Sequence, residues 1–114
     1  MSRDSTVLLR HIRLCLDRIA DYARGGQADF MADSKTQDAI IRNLEIIGQA
    51  VRDYGTEPLE AAAPDLPWQR IAGLRNVLAH QYLGVDLRLV WNIVEQELPK
   101  LGEAVSHLLP PEAR

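Results

Sequence analysis

Residues 75–82 read RNVLAHQY. Arg75, Asn76, His80 and Tyr82 punctuate a run filled by Val77, Leu78 and Ala79. These residue types meet the needs of RNA cleavage. An imidazole, with an unperturbed pKa of about 6.5, accepts or donates a proton near neutrality. A 2′-hydroxyl needs a base before it attacks the neighbouring phosphate, and the departing 5′-oxygen needs an acid. The phosphorane between them carries added negative charge, which a planar guanidinium grips at two points. Asn76 could orient either the phosphate or the imidazole, and the scheme requires no metal. A plainer reading stands beside it: Arg75 caps the last carbonyls of its helix and His80 packs in a turn.

Spacing decides what a site here would need. Positions five apart on an unbroken helix lie roughly 140° apart around the axis. Arg75 and His80 would then diverge, so they can cooperate only at a helix end. The apolar seam Trp68, Ile71, Leu74, Leu78 stops there, and Tyr82-Leu83-Gly84-Val85 reads as a turn. The expected terminus therefore falls between Leu78 and Gln81.

Other chemistry is poorly represented. The histidines are His11, His80 and His107, and Cys15 is the one thiol. His11 and Cys15 stand i, i+4, a spacing compatible with a metal, but Cys15 belongs to an apolar seam and no companion cluster follows. Neither a metal nor another cofactor is expected. The sequence has no glycine-rich phosphate loop and no nucleophile in a strand–turn–helix setting. Arg42 and Glu45, i and i+3, read as an ordinary helical ion pair.

The elements that must position these residues are helices. Leu8, Ile12, Cys15, Ile19 and Tyr22 step by 4, 3, 4 and 3, which predicts an amphipathic helix over about residues 5–24, ended by Gly25-Gly26. Ser34-Lys35-Thr36-Gln37 matches a capping box. Ile40, Leu44, Ile47 and Val51 follow it and predict a second helix to about Tyr54, with Gly55 as its C-cap. Residues 56–67, with Pro58, Pro64 and Pro67, read as the longest connector, and Pro67 suits the opening of a third helix. Asp86 suits the N-cap of a fourth. Its seam is Leu87, Val90, Val94, Leu98, Leu101, Val105 and Leu108, and Pro99 should kink or split it. The expected architecture is all-α, an antiparallel bundle of four to five helices in one domain over residues 1–114.

Global properties agree with a small globular domain. The chain has 114 residues, 46% hydrophobic and 25% charged, and a net charge of −3. That charge argues against a broad electrostatic nucleic-acid binder. Eleven of the thirteen basic residues are Arg, whose fork suits phosphate and carboxylate; GC-rich coding would give the same bias. No apolar run nears the ~18 residues of a membrane span. The charged start MSRDSTVLLRHIRLCLDRIA is unlike a signal peptide. With a single cysteine, the expectation is a cytoplasmic protein.

The chain resembles the HepT-like branch of the HEPN superfamily, toxins of toxin–antitoxin pairs. The likeness covers nearly the whole sequence: LLRHI, TQDAIIRNLEIIGQAVRDY, PDLPWQRIAGLRNVLAHQYLGVD and VWNIVEQELPKL. HEPN ribonucleases are marked by Arg, a polar residue and then a His four to six positions after the Arg, matched here by Arg75, Asn76 and His80. The HepT branch adds a Tyr two residues past the His, matched by Tyr82. The resemblance implies a HEPN-like bundle that forms a homodimer with the two motifs side by side, so that one His80 can serve as base and the other as acid. It implies a metal-independent endoribonuclease acting on RNA, in a type VII-like system. It further implies an MntA-type nucleotidyltransferase antitoxin that silences the toxin by transferring AMP from ATP onto Tyr82. It places Arg42 and Glu45 near the motif, which makes support of the cleft the alternative to a plain ion pair. Relatives often read IGEA where this chain reads IGQA at 47–50, so an acid's role is not carried over to Gln49. The rival reading is a non-catalytic HEPN module that binds nucleotide or a partner. Inactive members usually lose the Arg or the His, and this chain keeps both.

Overall fold

Two of the three long apolar seams of the sequence become the two longest helices. In the computed structural model of the protein, which describes residues 2–79 and 84–111, α1 runs Ser2–Tyr22 and α3 runs Ser34–Tyr54. Leu9, Ile12, Cys15, Leu16 and Ile19 of α1 are buried, as are Ile40, Leu44, Ile47, Ala50 and Val51 of α3. The two stripes face each other, and this is the most extensive helix pairing in the fold. A third wall comes from the C-terminal helix, which also packs on α1.

That C-terminal helix is three pieces in series. α7 (Leu87–Asn92) passes through a π-helical turn (Ile93–Glu97) into α8 (Leu98–Leu108). Pro99 explains the irregularity. It has no N–H to offer the carbonyl four residues back. The backbone widens by one residue just before it, and Leu98 N–H reaches Ile93 O. The expected kink at Pro99 is thus a π insertion immediately upstream. Arg70 pairs with the mostly buried Glu97 in this turn, tying it to the central part of the chain.

Three expectations need correction. The capping box was assigned to Ser34, but the N-cap of α3 is Asp33, whose carboxylate accepts Lys35 N–H at 3.1 Å and the Thr36 hydroxyl at 2.8 Å. A carboxylate also meets the positive end of the helix dipole. Gln37 turns away and donates to Phe30 O at 2.9 Å and Met31 O at 3.2 Å. Second, α1 ends ahead of Gly25-Gly26 as expected, but a short helix that the sequence reading lacked, α2 (Gly26–Ala32), follows at once and buries Phe30. Phe30 meets Trp91 of α7 at 5.3 Å between ring centroids, tilted by 35°, a contact of about 0.5–1.5 kcal/mol beyond area burial. Third, the long connector holds α4 (Thr56–Ala62), with Leu59 buried. Pro58 sits in the first turn of α4, where an absent N–H costs nothing.

The expected third helix is divided at Gly73 into α5 (Trp68–Ala72) and α6 (Leu74–Ala79), both packed on α3. Pro67 stands just ahead of α5 as its N-cap, with its carbonyl accepting Ile71 N–H. The fully buried Trp68 donates its indole N–H to Ala63 O at 2.7 Å, which closes the turn before α5. The described residues therefore form more helical segments than the four to five expected, built around α1, α3 and the α7–α8 rod. Among them there is no strand, and no helix is long and apolar enough to cross a membrane.

Candidate active site

Arg75 owes its position to a glycine. Gly48, in the middle of α3, is buried where α5 and α6 cross. A Cβ there would lie 2.9 Å from Ile71 O, 3.1 Å from Arg75 N and 3.3 Å from Leu74 Cβ. Only a residue without a side chain lets the backbone of α6 come this close to α3. The hydrophobic faces then lock the contact: Leu74 and Leu78 of α6 point into the core, while Arg75, Asn76 and Val77 stay exposed.

Arg75 looks into a recess of about 360 Å³ between α1, α3 and α6. Its apolar lining is Leu8, Ile46 and Ala50, and its polar lining is His11, Arg42, Glu45, Gln49, Asp53 and Arg75. The volume falls at the small end of the roughly 300–1,000 Å³ range of small-ligand sites. Most of the polar groups satisfy one another. Gln49 donates its amide to Asp53 Oδ1 at 2.9 Å. Arg42 Nη1 lies 3.8 Å from Glu45 Oε1, with Arg42 largely exposed and Glu45 mostly covered. Arg75 has no hydrogen-bond or ion-pair partner among the described residues. It does not cap a described carbonyl of its own helix, as the plainer sequence reading would have it.

A larger hollow of about 640 Å³ between α1 and α8 shares no residue with this recess. Its arginine, Arg13, is engaged: it donates to Gly102 O at 3.0 Å and to the Ser106 hydroxyl. An arginine held this way acts as a strut between helices.

Of the residues singled out from sequence, Arg75, Arg42 and Glu45 share the recess, and Asn76 is exposed beside it. Arg42 and Glu45 are thus both an i, i+3 pair and part of the cleft wall. Gln49, where the family resemblance led to the expectation of an acid, pairs with Asp53. His80 and Tyr82 lie outside the described residues, as does part of the stretch from Leu78 to Gln81 where the helix end was expected. Gly84, just beyond, has φ +130°, a backbone state that suits the expected turn. Asp86 accepts Arg88 N–H at 3.1 Å and Leu89 N–H at 3.2 Å, the N-cap that its sequence position predicts.

Sequence reasoning passed over Gly48, His11 and Asp53 as parts of this site. The signal for Gly48 was present: a glycine inside an otherwise strong helical seam marks a close backbone approach. His11 and Cys15 face different surroundings. Cys15 is wholly buried, and burial pushes its thiol up, partly offset by Arg18. His11 is exposed and lines the recess. Among the described residues no group of three or more His, Cys, Asp or Glu is placed to hold a metal ion. Asp33 is held below the usual carboxylate range by the Thr36 hydroxyl and the Lys35 N–H.

Comparison with known proteins supplies a family. Residues 12–108 match the model of the family described as ribonuclease HepT-like. The chain is 34% identical over 110 residues to "Gamma-glutamylcyclotransferase and putative RNase" of Methanocaldococcus jannaschii, an alignment of 96% of this chain and 49% of that one. The chain thus spans about half the length of that relative. It is 36% identical over 102 residues to "Probable ribonuclease HepT" of Thermococcus cleftensis, covering 89% of this chain and 92% of that one. No solved structure matches.

Proposed function

This chain belongs to the HepT-like ribonuclease family, and from that premise we propose that it is the toxin of a type VII-like toxin–antitoxin pair. It is a metal-independent endoribonuclease that cuts RNA with Arg75, Asn76 and His80. Its antitoxin is an MntA-type nucleotidyltransferase that silences it by attaching AMP to Tyr82. The observation that supports this reading best is the Arg75 guanidinium, exposed at a recess of single-nucleotide scale and without a described partner.

The reaction follows from the groups. One His80 imidazole takes the proton of a 2′-hydroxyl as its oxygen attacks the adjacent phosphorus. The new 2′-O–P bond forms while the P–O5′ bond breaks. A protonated imidazole delivers a proton to the departing 5′-oxygen. Arg75 grips the non-bridging oxygens as charge accumulates on the phosphorane. The products are a 2′,3′-cyclic phosphate and a free 5′-hydroxyl. The step uses two proton carriers, and a chain with one motif offers one His80. A two-fold dimer with the motifs facing each other supplies the second.

The test is direct. His80→Ala and Arg75→Ala should each abolish cleavage and toxicity while the helical CD signal stays near wild type, and EDTA should leave the wild-type rate unchanged. Cleavage surviving in His80→Ala, or lost to EDTA, overturns the mechanism.

A further inference from the structure

Two polar groups of the recess have no partner among the described residues: Arg75 and His11. Of the other four, Gln49 is hydrogen-bonded to Asp53, and Arg42 forms a loose ion pair with Glu45 at 3.8 Å. His11 comes from α1, and Arg75 comes from α6. It is the one polar side chain that α1 contributes to the recess, next to Leu8 on its apolar lining. Its side chain is exposed, off the stripe of Leu9, Ile12, Cys15 and Leu16 that holds α1 in the core. Packing therefore gives no reason for an imidazole there.

The electrostatics give one. The charged groups that face the recess are Arg42, Arg75, Glu45 and Asp53, and their formal charges cancel. A net-neutral recess in a chain of charge −3 cannot hold a polyanion by its general field. It holds one through placed donors, as phosphate contacts do in nucleic-acid complexes generally. Arg75 from α6 and His11 from α1 are donors with no partner among the described residues, and Arg42 is held only by its 3.8 Å ion pair with Glu45.

We propose that His11 is a substrate-contacting residue of this site, donating a ring N–H to a phosphodiester of the RNA strand whose reacting phosphate Arg75 grips. The inference rests on the ribonuclease reading above and adds to it a contact from the first helix. It also sets the path of the strand, across the recess from α6 to α1.

Two variants of the full-length protein test it, His11→Ala and His11→Gln. The Gln amide reaches about as far as the distal ring nitrogen and retains an N–H donor, but it carries no proton to transfer. Two readouts are needed: binding of a 2′-O-methyl RNA oligonucleotide, which lacks the attacking hydroxyl, and cleavage of the unmodified RNA. Loss of a hydrogen bond to a charged group should weaken both by roughly 10- to 100-fold in His11→Ala. His11→Gln should stay within about threefold of wild type in both, as a donor role predicts. Wild-type binding and cleavage in His11→Ala overturns the proposal. So does a Gln variant as impaired as the Ala variant. A wild-type protein that binds the 2′-O-methyl strand through His11 but cuts no RNA overturns the ribonuclease reading and leaves the His11 contact standing. A wild-type protein that binds no RNA overturns both.

Discussion

Gly48→Ala should uncouple the site from its scaffold. Alanine in a helix interior is ordinarily better than glycine by about 0.8–1.0 kcal/mol. Here the new methyl would sit 2.9 Å from the Ile71 carbonyl oxygen and 3.1 Å from Arg75 N, where ordinary contact begins at 3.4 Å. Both atoms are backbone, so no rotamer change relieves them. The α5–α6 segment must retreat by about half an ångström, and overpacking of this kind costs roughly 1–3 kcal/mol. The net is a destabilisation of about 1 kcal/mol, or about 4 °C in Tm for a domain of this size. The effect on activity should be larger than the effect on stability. The retreating backbone carries Arg75, and misplacement near 1 Å can lower rates by about 100-fold. Single-turnover RNA cleavage should fall by roughly tenfold, while CD at 20–25 °C stays helical. Gly102→Ala is the matched control. Its Cβ would meet only Leu16 Cδ1 at 3.9 Å, so it should gain stability by up to about 1 kcal/mol and cut RNA normally. A Gly48→Ala protein with raised Tm and unchanged cleavage would refute the argument that this crossing positions Arg75.

Other outcomes follow from the same geometry and the proposed control. Coexpression with the cognate nucleotidyltransferase and ATP should raise the intact mass by whole AMP units mapped to Tyr82, and Tyr82→Phe should escape silencing; modification mapped elsewhere removes Tyr82 from that role. Sedimentation at micromolar concentration should give a dimer, and a monomer there argues against a shared two-His80 site. Asp33 is held below the usual carboxylate range in the folded chain. Its stabilising effect is therefore present above the ordinary Asp pKa and lost as pH falls through the depressed folded value. The Tm gap between wild type and Asp33→Ala should accordingly be full at pH 7 and narrow below about pH 4; a gap that widens on acidification contradicts the capping bonds.

What could be read from sequence was whatever repeats with the helix period. The seams of α1, α3 and the C-terminal rod gave all three long elements, because burial at i, i+3 and i+4 leaves its mark on residue type. The short helices were missed for the opposite reason. α2 buries Phe30 and α4 buries Leu59, one anchor apiece, and one anchor has no period. Their prolines and glycines read as loop, although Pro58 and Gly26 sit in the first turns of helices. The N-cap slipped by one residue because Asp33 and Ser34 are both good caps. The three-dimensional choice depended on Gln37 finding acceptors in α2.

The candidate site was legible in a different way. Arg75 and Asn76 stood out because they are polar within an apolar run. His11 did not, because on an amphipathic helix a histidine next to the seam looks like any solvated residue. Its meaning depends on which helix lies opposite, and that is fixed by Gly48, thirty-seven positions later in the chain. Gln49 shows the same dependence. Read alone, it is a lost carboxylate. In the fold it takes up Asp53, one turn further along α3, so an acid still lines the recess with its charge partly satisfied. If Gln49 were an acid, it would stand one turn from Asp53 and the two would repel. The recess would then carry one more negative charge than positive. With Gln49 as it stands the charges balance, and Arg75 is left without a described carboxylate to hold it. An arginine already bound to an acid has to break that pair before it can take phosphate; Arg75 starts with no described partner, which is the state that the proposed contact to the phosphorane requires.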